Sequence, residues 1–214
     1  MNTFRIQAFL FSCVIVLGSS TASALPIVFS AVDNSAGSLV TAPNSVAMAA
    51  LFDAAAGPLS VIDFESGLPA GITAGPGSIT TFSGPACGAI FCGYNTTTAG
   101  SFFYLAEGFT HTFTFSVPIN AFGAYFTGWQ FSMQTITYSD GGIQILEMPP
   151  GELGLGGTAF FGFIDSGASI TSITYDALAD IVSVDDIRYG SVVPEPASAA
   201  LLGLGLIALA LGRR

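Results

Sequence analysis

Apolar and polar residues alternate along much of the chain between Ser60 and Tyr189, in short runs separated by turn-forming residues. A period of two marks strands with one buried face. It predicts ten of them, at 60–65, 78–82, 101–105, 109–117, 121–126, 133–138, 142–148, 159–164, 172–175 and 181–189. The separators Asp140-Gly141-Gly142, Pro149-Pro150-Gly151 and Asp165-Ser166-Gly167 carry turn chemistry. One segment departs from this period. Pro43-Asn44-Ser45 is a helix start, Val46 to Ala56 an Ala-rich body and Gly57-Pro58 a stop. Many short strands around one core predict an all-β fold, an antiparallel sandwich of jelly-roll type with one short N-terminal helix.

Both ends break the pattern with long apolar runs. Arg5 precedes an apolar stretch from Ile6 to Leu17, and Ala22-Ser23-Ala24 supplies small residues for cleavage. Residues 1–24 therefore read as a secretory signal peptide cut after Ala24. At the other end Val193-Pro194-Glu195-Pro196 is followed by Ala197 to Gly212 without a charge, then by Arg213-Arg214. Sixteen apolar residues form roughly 24 Å of helix, enough to cross a bilayer if the arginines snorkel and the bilayer thins. With the middle of the chain exported, Arg213 and Arg214 fall on the cytoplasmic side.

This tail, over residues 194–214 with Val193 before it, closely resembles the PEP-CTERM sorting signal of exported proteins from exopolysaccharide-producing Gram-negative bacteria. The resemblance implies that exosortase, a membrane-embedded protease-transpeptidase, recognises Pro194, Glu195 and Pro196. It further implies a membrane-anchored precursor at the inner membrane that is released to the cell surface or extracellular matrix. The Ala-rich helix, Val61-Ile62-Asp63-Phe64-Glu65, Phe160-Phe161-Gly162-Phe163 and Val184-Asp185-Asp186-Ile187-Arg188-Tyr189 are similar to segments of many PEP-CTERM ectodomains. By that likeness residues 25–193 form an extracytoplasmic sandwich like those of lectins or carbohydrate-binding modules, with polysaccharide as the expected partner.

Charge narrows the function. The chain has 4 Lys+Arg against 14 Asp+Glu, a formal net charge of −10. Residues 25–193 hold thirteen of the acids and one base, Arg188. Nucleic acid is excluded as a partner, because phosphate neutralisation needs a cationic surface. Cys87 and Cys92 remain after the signal peptide leaves, and in an oxidising compartment a disulfide closing a short loop is expected.

Several side chains are candidates for chemistry, each with a plainer alternative. Asp63 and Glu65, two apart on a predicted strand, share a face roughly 6.8 Å apart. With Asp185 and Asp186 on the last strand, they offer hard oxygen ligands for a structural Ca²⁺, and otherwise are solvated carboxylates or a glycosidase pair. Tyr125 and Trp129 share a face if their strand runs that far, as a sugar-stacking platform or as core. His111, the only histidine, falls on the apolar face of its strand and reads as a core residue. No G-x-S-x-G elbow accompanies it. The opposite face of that strand carries Thr110, Thr112, Thr114 and Ser116, read as solvated hydroxyls. Taken together, these features predict a non-catalytic, exported surface or matrix protein. A secreted glycan hydrolase and a purely structural matrix protein are the alternatives.

Overall fold

The computed structural model describes residues 25–81, 88–107, 110–130, 135–139, 143–152, 154–176 and 181–192. Residues 1–24, Cys87 and the tail from Val193 onward lie outside the described residues.

Among the described residues twelve strands build two antiparallel sheets: β1 Ile27–Asn34, β2 Ser60–Ile62, β3 Ile72–Gly75, β4 Ser78–Thr80, β5 Phe103–Glu107, β6 Thr110–Ile119, β7 Ala121–Thr127, β8 Thr135–Ser139, β9 Ile143–Glu147, β10 Gly157–Ile164, β11 Ile170–Asp176 and β12 Ile181–Gly190. One sheet runs β1-β10-β7-β12-β5-β4, with β2 also paired to β12. The other runs β3-β6-β11-β8-β9. Successive strands from β5 to β8 and from β9 to β12 change sheet each time, which gives the jelly-roll-like sandwich. The expected all-β class holds.

The sequence pattern misses β1 and β3. Ile27 to Val32 is nearly all apolar, and β3 is four residues among glycines and prolines. The reason for the near-continuous apolar runs is a third layer. Helix α1, Pro43–Ala56, lies on the outer face of the seven-stranded sheet, so β7 and β10 are buried at every described position. Its Phe52, fully buried, rests on the cross-strand pair Gly123 and Gly162. A Cβ on either glycine would lie 2.9–3.0 Å from that ring. Between the sheets a second cluster includes Phe113, Phe122, Phe126, Phe163, Trp129 and Tyr175.

The start of α1 is held from a distance. Its N-cap, Ala42, makes no side-chain cap. Instead the Asp33 carboxylate of β1 accepts the amide of Ser45 at 2.7 Å, the amide of Asn44 at 3.2 Å and the Asn44 side-chain amide at 2.8 Å. A buried anion thus meets the positive end of the helix. At the other end Gly57 takes φ +71, as the stop signal requires.

Candidate functional site

The first and last sequence-predicted carboxylates do meet, because β2 pairs with β12 through Ile62 and Ile187. Glu65, Asp185 and Asp186 meet around the segment 94–102, which they hold as hydrogen-bond acceptors, while Asp63 holds the amide of Glu65. β2 stops at Ile62 and Phe64 takes φ +60, so Asp63 and Glu65 sit in a turn rather than on one strand face. There Asp63 Oδ1 accepts the amide of Glu65 at 3.1 Å. Glu65 Oε1 in turn accepts the amides of Ser101 and Phe102, both at 2.7 Å, and the Asn95 side-chain amide at 3.0 Å.

Asp185 and Asp186 hold the same segment from β12. In the pairing of β12 with β7 the register shifts between Asp185 and Arg188, and Asp186 takes φ +47, the left-handed conformation that Asp tolerates. Asp185 is fully buried, and its Oδ2 accepts the Thr96 amide at 2.6 Å. The Thr96 hydroxyl lies 3.1 Å from Asp185 Oδ2 and 2.9 Å from Asp186 Oδ2, while the Thr97 hydroxyl donates to Asp186 Oδ1 at 2.8 Å. One hydroxyl hydrogen cannot serve two carboxylates. The Thr96 hydroxyl thus stands between two carboxyl groups and donates to one or the other. Burial, aided by the Asp186 charge and opposed by the Thr96 amide, pushes the Asp185 carboxyl up to about 7.

Of the four residues expected to ligate calcium, the structure brings Glu65, Asp185 and Asp186 to one loop and leaves Asp63 in the turn beside it. Among the described residues no three His, Cys, Asp or Glu side chains form a group that could hold a metal ion. The oxygens of Glu65 and Asp185 that face the segment are taken by N–H and O–H donors.

Tyr125 and Trp129 do not share a face. β7 ends at Thr127, and Gly128 at φ +81 turns the chain before Trp129. Tyr125, 4% exposed, stays under α1, packed at 5.4 Å on Phe160 with the Arg188 guanidinium 5.2 Å over its ring. Trp129, 0% exposed, crosses into the cluster between the sheets, stacks on Tyr175 at 6.2 Å and donates to the Pro149 carbonyl at 3.1 Å. Neither ring can stack on a sugar. Arg188, the one base of the domain, also pairs with Asp53 of α1 at 2.9 Å and so ties the helix to β12.

His111 is buried, as read, between Tyr104 and Tyr175, with Nδ1 on the Pro76 carbonyl. Cys92 is buried in α2, Ala89–Cys92. Its expected partner, Cys87, lies outside the described residues.

A face that single-strand reading missed lies on the outside of the five-stranded sheet. Thr73 of β3 pairs with Thr114 of β6, which pairs with Ser172 of β11. The next row joins Gly75, Thr112 and Thr174, and the Thr112 and Thr174 hydroxyls bond at 2.9 Å. Rows of hydroxyls thus repeat across strands about 4.8 Å apart and along them roughly every 6.8 Å. Thr110 to Ser116 displays one column of this array, and only strand register supplies the others.

The fold is thus an antiparallel β-sandwich with one covering helix, and its last strand leads directly into the tail. The family profile described as the PEP-CTERM protein-sorting motif matches residues 192–214. This tail, with Pro194-Glu195-Pro196 near its start, is a PEP-CTERM protein-sorting motif. A search of curated proteins found no match. Among solved structures, that of TmCBM61 in complex with beta-1,4-galactotriose is similar at 11% identity and a TM-score of 0.29, over 59% of this chain and 92% of that one.

Proposed function

We propose that this is an exosortase-sorted, non-catalytic protein of the cell surface or extracellular matrix, whose sandwich holds neutral polysaccharide on the outer face of its five-stranded sheet. The observation that carries the sorting reading is the motif at 192–214, which starts two residues after β12 ends at Gly190. A folded domain followed directly by an extended, proline-flanked tripeptide presents Glu195 to a processing enzyme as an open strand.

The polysaccharide reading is supported by the hydroxyl rows. In a domain so rich in carboxylates, Thr73, Thr112, Thr114, Ser172 and Thr174 make an uncharged, partly exposed surface. Each hydrogen bond to a sugar hydroxyl contributes only about 1 kcal/mol net, so binding needs a long chain that meets several rows at once.

Two measurements test this. In the native host Glu195→Ala removes the tripeptide's charge, and membrane-retained precursor is the expected product on a blot. Normal release rejects the sorting assignment. Purified protein should co-sediment with the host's exopolysaccharide, and the Thr112→Val/Thr174→Val double variant should lose roughly tenfold in affinity, the loss of one to two hydrogen bonds. Full binding by the variant would remove the hydroxyl face from the account, no binding by either protein would favour a structural role, and release of reducing ends would favour the hydrolase.

A further inference from the structure

Both membrane-directed segments leave the sandwich at one pole. Ile27, the first residue of β1, pairs with Ile164, Ile164 with Ala121, and Ala121 with Gly190, the last residue of β12. The start of the mature chain and the start of the sorting tail are therefore three strand spacings apart in one row, roughly 14 Å. Asn120 fixes the exit, accepting the Val192 amide at 2.6 Å and donating to its carbonyl at 2.8 Å.

The surface around this exit is apolar. Leu25 is 88% exposed, Ile27 59%, and Val117 73%. Val117 is held beside the exit by the Ser191 hydroxyl, which donates to the Pro118 carbonyl. Ile143, 74% exposed, opens β9 from the same end. Charge is distributed the opposite way. Among the described residues Asp165 is the acid at this pole, and it is buried and accepts the Tyr138 hydroxyl at 2.7 Å. Asp33, Asp176, Glu147 and Glu152 lie at the other pole, where β1, β11 and β9 have their acidic ends. Asp53, nearest on α1, is paired with Arg188.

We infer that the pole formed by Leu25, Ile27, Val117 and Ile143 is a bilayer-contacting surface, on which the domain rests while its precursor is membrane-anchored. This rests on the reading of residues 197–212 as a membrane segment. The occupant follows from the tether. Four residues lie between Val192 and Ala197, and the five steps across them reach at most about 18 Å when extended, so the pole cannot move far from the lipid. Apolar side chains within that reach gain by entering the interface, and the acidic pole points away from an anionic membrane surface. The contact shortens the gap across which Pro194-Glu195-Pro196 must run and keeps Glu195 close to the membrane plane, where a membrane-embedded enzyme works.

The test uses the full chain carrying Glu195→Ala, reconstituted in phosphatidylcholine vesicles and labelled with a carbene reagent dissolved in the acyl chains. Val40, 93% exposed next to the far end of β1, is the internal reference. Labelling of Ile27 and Val117 should exceed that of Val40 by about tenfold, the factor that half-burying one isoleucine supplies. Val117→Asp, at an exposed position, should abolish the excess at the pole and leave 197–212 labelled. An unlabelled 197–212 segment would reject the membrane reading of the tail. A labelled tail with the pole no more labelled than Val40 would overturn the contact itself.

Discussion

At the scale of single residues, the Asp185 carboxyl, buried beside Thr96 and Asp186, ties the stability of the fold to pH. Asp185 in the folded chain titrates near 7, whereas an unfolded aspartate titrates near about 3.9. Between those values the native state binds the extra proton. Its contribution is complete below the unfolded value and is lost as pH rises through about 7. Asp185→Asn keeps an acceptor for the Thr96 amide but does not titrate. The stability difference between wild type and Asp185→Asn, from urea melts at successive pH values, should move against the wild type between pH ~4 and ~7. A difference that does not change with pH would show that Asp185 is ionised throughout. The sequence marked Asp185 and Asp186 as a pair but gave them to a cation. The threonines that compete for their oxygens, Thr96 and Thr97, are about ninety residues away in the chain and carry no local signal.

At the scale of elements, helix α1 shows how a correct boundary can have a remote cause. Pro43-Asn44-Ser45 and Gly57 locate both ends in the sequence, because proline fits a first turn and glycine accepts a positive φ. Yet the cap is Asp33, which belongs to β1 and sits eleven residues before Asn44. Asp33→Ala should cost about 1 kcal/mol, and up to ~2 because the carboxylate is buried, as measured by chemical denaturation. Asp33→Asn, which retains one acceptor oxygen, should recover part of it. Equal stability of wild type and Asp33→Ala would mean that local sequence alone holds the helix. The aromatic pair teaches the same lesson from the other side. Alternation put Tyr125 and Trp129 on one face, and one glycine at φ +81 sent them to opposite sides of the sheet.

At the scale of the molecule, the domain closes before the sorting tail begins. β12 ends at Gly190 and Asn120 pins Val192, so a chain cut after Val193 should melt at the temperature of the full-length protein in detergent. A large drop would mean that the tail packs on the domain. The sequence by itself determined the class of the fold, the helix and the sorting motif at the C-terminal end. Those depend on period, turn chemistry and uninterrupted apolar length, all of which act between near neighbours. Only the tertiary structure decided that α1 buries the second face of β7 and β10, that Trp129 fills the core, and that Glu65, Asp185 and Asp186 accept hydrogen bonds from one loop. It also decided that hydroxyls from three strands form one array and that both chain ends leave by one pole. Each of these depends on which strands pair and in what register, a choice made by long-range burial. A shift of one residue in that register would reverse every face involved.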